Sequence, residues 1–179
     1  MDRQVKVIGY RLKVIGACLA ALLLVGCKQN NWVDWKTQNE LWLTQNAAKD
    51  SQVKKTSTGL QYKILADPTP LDAKPNKTSY VTCDYKLTLI NGNELERGHA
   101  TFALSSVISG FAEGCCLIHN NGDIRLFIPY YLAYDKTKVD DGDEYNAVGN
   151  EGTEGTHSYI PPYSTLIYDI HICGVSGNN

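Results

Sequence analysis

Apolar residues recur at every second position in four stretches of the chain, the period of a strand with one face in a core and the other in water. Leu166, Tyr168, Ile170 and Ile172 form one set, entered through Pro161-Pro162, whose missing N–H groups mark a rigid approach to a strand. Val81, Cys83, Tyr85, Leu87 and Leu89 alternate with Thr82, Asp84, Lys86 and Thr88, and Asn91-Gly92 then supplies a turn. Ile124, Leu126 and Ile128 share one face of a third stretch that stops at Pro129, and Leu60, Tyr62 and Ile64 share one face of a fourth. Residues 101–104 read as a short further strand. Between the strands the period changes: Val107, Ile108, Phe111, Cys115 and Ile118 fall at helical spacing within residues 105–118, behind serines suited to an N-cap. The pattern predicts an α+β domain, an antiparallel sheet with one short helix on its apolar face.

Outside that pattern, residues 32–49 hold Trp35, Leu41, Trp42, Leu43 and Ala47 among polar residues without proline or glycine, which predicts a helix. Its tryptophans are expected to pack on the domain that follows; the other reading is a partner surface or a homodimer contact. Pro68, Pro70 and Pro75 make residues 67–76 a loop. Residues 135–158 carry Asp140, Asp141, Asp143 and Glu144 among glycines. Their spacing is not that of a calcium loop of the EF-hand type, so a solvated loop overhanging the binding region is expected.

The N-terminus is a different object. Arg3, Lys6, Arg11 and Lys13 precede an apolar run too short to span a bilayer comfortably, the layout of a secretory signal over residues 1–26. The run ends Leu24-Val25-Gly26-Cys27, which resembles the bacterial lipoprotein signal, with Cys27 as the lipid attachment site; an uncleaved anchor helix or a chance cysteine is the other reading. Residues 27–55 would then be a lipidated tether and N-terminal helix, and residues 56–179 the folded domain. Acyl chains on Cys27 would hold the protein to a membrane, each buried methylene contributing about 0.8 kcal/mol.

Composition narrows the function. The 179 residues carry 17 Lys and Arg against 19 Asp and Glu, and loss of the signal leaves the rest more acidic. No basic stripe exists, so nucleic acid is not an expected partner. Cys83, Cys115, Cys116 and Cys173 would remain in an exported domain, either as small buried hydrophobes or with Cys83 and Cys115 joined. Nothing has zinc-ligand or Cys-x-x-Cys spacing, so no metal and no cofactor are expected. His99, His119, His157 and His171 have no local nucleophile motif and are expected on the surface.

Several of these segments, in order, resemble a known family. Residues 57–62 (Ser-Thr-Gly-Leu-Gln-Tyr), Tyr85 with Asn91-Gly92 and Leu95-Glu96, residues 107–114 (Val-Ile-Ser-Gly-Phe-Ala-Glu-Gly), Ile128-Pro129 with Leu132-Ala133-Tyr134, and Ile160-Pro161-Pro162 through Tyr168 together look like the FKBP-type peptidyl-prolyl cis-trans isomerases, in particular exported bacterial members with an N-terminal helical extension. The resemblance covers residues 56–175. It implies a five-stranded antiparallel sheet wrapped on one helix around a proline pocket. It assigns catalytic roles to Tyr85, Glu96, Ile108 and Tyr134, and substrate contacts to Leu95, Phe102, Val107, Phe111, Ile160 and Tyr168, with Phe111 as the floor. Leu95 and Tyr168 stand where the family usually has phenylalanine, and Glu96 where it has aspartate. It implies proline-containing polypeptides as substrate and the bacterial envelope, the outer membrane facing the periplasm, as location. Three readings follow: an isomerase assisting the folding of exported proteins; an FKBP-fold binding or chaperone module with weak or no isomerase activity; and an envelope lipoprotein whose tryptophan helix binds a partner.

Overall fold

The computed structural model describes residues 32–68, 72–136 and 160–177. The signal and Cys27, most of the acidic loop and His157 lie outside the described residues. Helix α1 (Trp32–Lys49) is followed by β1 (Lys54–Lys55), β2 (Gln61–Ala66), β3 (Tyr80–Leu89), β4 (Glu94–Ala103), helix α2 (Ser109–Cys115), β5 (Asp123–Ile128) and β6 (Leu166–Ser176). All pairings are antiparallel, in the order β1-β2-β5-β6-β3-β4. The sheet thus has six described strands rather than five, because the two-residue β1, just before the expected domain start, adds an edge. The expected fragment at residues 101–104 is the end of the continuous ten-residue β4.

The alternation reads directly into burial. Val81, Cys83, Tyr85, Leu87 and Leu89 of β3 and Leu166, Tyr168, Ile170 and Ile172 of β6 all face inward, against α2. In β2 the pattern breaks: Ile64 is exposed, and Gln61, on the other face, is buried. Helix α1 explains the inversion. The Gln61 side chain donates to the Leu43 carbonyl (2.9 Å) and accepts from Asn46 (3.1 Å), while Trp42 stacks at a tilt on Phe127, with centroids 5.7 Å apart. The tryptophans therefore pack on the domain: Trp35 Nε1 donates to Ser164 Oγ at 3.0 Å, and fully buried Asn39 accepts from the Thr165 N–H at 2.7 Å.

Helix α2 is shorter than its apolar pattern predicts. It spans seven residues, its N-cap is Ile108, and no side chain caps it, so Val107 and Ile108 precede it and the serines do not act as expected. Close approach sets its position. A Cβ on Gly110 would lie 2.3 Å from Ile128 Cγ2, and one on Gly114 2.3 Å from Leu126 Cδ1, so both glycines let the helix sit directly on β5. Thr58 anchors its other side by donating to Glu113.

Candidate active site

The inward faces of β3, β4 and β6 meet the segment before α2 around a cavity of about 360 Å³, inside the range of small-ligand sites. Each wall has a local cause. A register shift opposite Leu87 and Thr88 makes Leu95 an extra residue in β4, after which Glu96, Gly98, Ala100 and Phe102 point in register with the inward residues of β3. Tyr134 is fixed by the turn after β5. There the N–H groups of Ala133 and Asp135 both bond the Tyr130 carbonyl (3.0 and 2.8 Å), and Ser109 Oγ holds the Leu132 carbonyl at 3.2 Å. Tyr163 N–H, from the strand approach, closes the turn onto the Asp135 carbonyl at 3.1 Å.

Phe111, from α2, is at the centre. It meets Phe102 edge-on at 5.4 Å and Tyr168 edge-on at 5.2 Å, and Phe102 meets Tyr85 at 5.4 Å. Such contacts hold rings in fixed orientation and contribute about 0.5–1.5 kcal/mol each beyond burial. The Tyr85 hydroxyl donates to Glu96 Oε1. Burial, reinforced by that carboxylate, lifts the Tyr85 hydroxyl well above its ordinary range. Burial, with Tyr134 and Glu96 adding to it, does the same to Tyr168. Both phenols are therefore neutral near pH 7, and the cavity offers hydroxyl donors on an apolar wall rather than a nucleophile.

Of the ten residues picked from the sequence, Tyr85, Glu96, Phe102, Val107, Ile108, Phe111, Tyr134 and Tyr168 line this one cavity. Leu95 and Ile160 do not. Both are buried in the core, Leu95 as the bulge residue and Ile160 at the entry to β6. Ser106 and Ala133 complete the lining and were not picked; their only signal is adjacency to Val107 and Tyr134. Cys83 and Cys115 are buried free thiols, the first pushed by burial up to about 12 and the second well above its usual value, so both are unreactive core residues. His99 is exposed and His171 partly so, whereas His119 is held against Asp67 at 2.9 Å with only 16 % of its side chain exposed.

Comparison with known proteins fits this geometry. A profile described as FKBP-type peptidyl-prolyl cis-trans isomerase matches residues 72–173. The chain is 34% identical over 142 residues to a probable FKBP-type isomerase, FkpA, of Neisseria meningitidis, covering 76% of this chain and 45% of that protein. It is 32% identical over 145 residues to the outer membrane protein MIP of Legionella longbeachae, covering 78% of this chain and 54% of that one. It therefore spans about half the length of such relatives. The crystal structure of Escherichia coli FkpA superposes with a TM-score of 0.66 at 26% identity, covering all of this chain and 75% of that one. The profile, the sheet wrapped on α2 and the aromatic cavity between them place the chain in the FKBP-type peptidyl-prolyl cis-trans isomerase family.

Proposed function

We propose that the protein catalyses cis-trans rotation about X-Pro bonds of polypeptides in the bacterial envelope, held to a membrane by lipid on Cys27. The observation that carries the catalytic reading is the ring-walled cavity around Phe111, with Ile108 and Tyr134 among its lining residues. Rotation is opposed by a barrier of about 18–20 kcal/mol, because the twisted amide loses resonance. The twisted amide also has less charge separation than the planar one. A dry wall of Tyr85, Phe102, Phe111 and Tyr168 therefore disfavours the planar form more, and no covalent step is needed.

The donors position the chain. Ile108 is the N-cap, so its N–H lies outside the ladder of α2 and donates to the carbonyl on the prolyl side, while the Tyr134 hydroxyl donates to a neighbouring carbonyl. Glu96 orients the Tyr85 hydroxyl. The envelope location is supported by the MIP relative's name as an outer membrane protein and by the leader-like N-terminus.

The test is a proline-peptide isomerisation assay on the full chain in detergent. The expected result is acceleration at micromolar protein that a pocket-directed macrolide abolishes; a rate equal to the uncatalysed one refutes the catalytic reading. Cys27→Ser should shift the protein from the membrane to the soluble fraction of cells, and unchanged fractionation would count against the lipid.

A further inference from the structure

The outer face of the sheet, opposite the cavity, is laid out in rows across the strands. One row runs His99 on β4, Asp84 on β3, His171 on β6 and Asp123 on β5, each opposite the next in register. The neighbouring row is an ion-pair row, in which Asp169 on β6 takes both Arg125 and Lys86. The histidine row contains no lysine or arginine at these four positions. Its two carboxylates pair with imidazoles: His99 Nδ1 lies 2.6 Å from Asp84 Oδ1, and His171 Nδ1 lies 3.0 Å from Asp123 Oδ1.

A third kind of donor joins this row through an irregularity of the backbone. Between Thr82 and Cys83 the register with β6 shifts, since Thr82 faces Gly174 and Cys83 faces Ile172. Cys173 is the extra residue. Alternation puts Cys173, next to buried Ile172, on the outer face, and the bulge leaves it without a directly opposite residue on β3; its Sγ lies 3.6 Å from Asp84 Oδ2. Without that bulge Cys173 would lie directly opposite Thr82 on β3. With it, one imidazole nitrogen, one carboxylate oxygen and one thiol sulfur, from three adjacent strands, lie within 4.8 Å of one another.

We propose that Asp84, His99 and Cys173 form a binding site for a thiophilic divalent cation of the zinc class. The chemistry of the donor set selects the ion. Thiolate and imidazole favour zinc-like cations over calcium or magnesium, which take oxygen ligands. Bond lengths of about 2.0–2.3 Å to nitrogen, oxygen and sulfur allow one ion to bridge donors so spaced, by displacing the His99–Asp84 hydrogen bond. On binding, the Cys173 S–H bond breaks, its proton passes to solvent and its electron pair forms the metal–sulfur bond, with no change of oxidation state. Three protein ligands on an exposed face leave a fourth position open to water or an incoming group, the arrangement of an exchangeable site rather than a closed structural one. Asp123 and His171, next in the row, add negative charge and a further imidazole at its border.

The experiment uses the full chain, reduced and stripped of metal, titrated with zinc chloride in competition with a chromophoric chelator and, separately, with cobalt chloride. The wild type should bind one more equivalent than Cys173→Ser and show a thiolate-to-cobalt charge-transfer band that Cys173→Ser loses. His99→Gln should weaken that equivalent at least about tenfold, since even partners outside the coordination shell change affinity by about 10–100-fold. Cys116→Ser, at a half-buried thiol ending α2, should change neither readout. Equal zinc binding by wild type and Cys173→Ser, or a cobalt band that survives that change, would overturn the site. All three residues are at least partly exposed, and circular dichroism confirms that each variant is folded.

Discussion

Tyr168 carries a hydroxyl into a wall of aromatic rings, and its surroundings decide what that group does. Burial, with Tyr134 and Glu96 adding to it, keeps it protonated well past its usual range, as burial and Glu96 do for Tyr85. The stability consequence has a definite sign. A phenol whose folded pKa is raised contributes fully below its unfolded value of about 10, and that contribution is lost as pH rises toward the folded value. Urea midpoints should therefore show no change from these two groups between pH 6 and 9 and should fall above pH 10. Tyr168→Phe should lose part of that alkaline fall, and an identical alkaline profile in the variant would show that the phenol ionises freely.

At the scale of elements, the docking of α1 fixes the approach to β6. Asn39 satisfies the buried Thr165 N–H and in turn donates to the Trp35 carbonyl at 2.8 Å, so one side chain ties the helix to the residue just before the strand that forms one cavity wall. Asn39→Ala leaves that N–H buried without its partner and should cost about 1–3 kcal/mol in urea unfolding. A cost below about 0.5 kcal/mol would mean that the contact is not maintained in solution. The strands of the core were legible because their apolar residues keep a strict period of two, and α1 because nothing in residues 32–49 breaks a helix. Three features were not. Each of the β-bulges at Leu95 and Cys173 is a single extra residue, which leaves the composition of a strand unchanged and only alters its partner. The two-residue β1 is all lysine, exposed, and held by backbone pairing with Gln61 and Tyr62. Helix α2 was overextended because Val107 and Ile108 are apolar for the cavity rather than for the helix.

The molecule as a whole places different chemistry on the two faces of one sheet. Inward, aromatic rings and neutral hydroxyls meet α2; outward, ion pairs and the His–Asp–Cys row face water. Adjacent residues of β3 show the division, since Cys83 and Tyr85 enter the core while Asp84 does not. Most of the cavity residues were legible because the family's motifs keep their order, and the two that fell elsewhere, Leu95 and Ile160, are apolar positions that serve the core equally well. The central claim is that the cavity's ring floor, and not mere adhesion of a peptide, lowers the rotational barrier. Magnetisation exchange between the cis and trans proline signals of a short peptide measures it directly, with catalytic amounts of the full chain or of its Phe111→Leu variant, the latter checked for folding by circular dichroism. Exchange should be far faster than the uncatalysed tens of seconds with the wild type. It should slow at least about tenfold in the variant, a loss of about 1.4 kcal/mol of preference for the twisted amide. Exchange at the uncatalysed rate with wild type, or an equal rate in both proteins, would contradict the account.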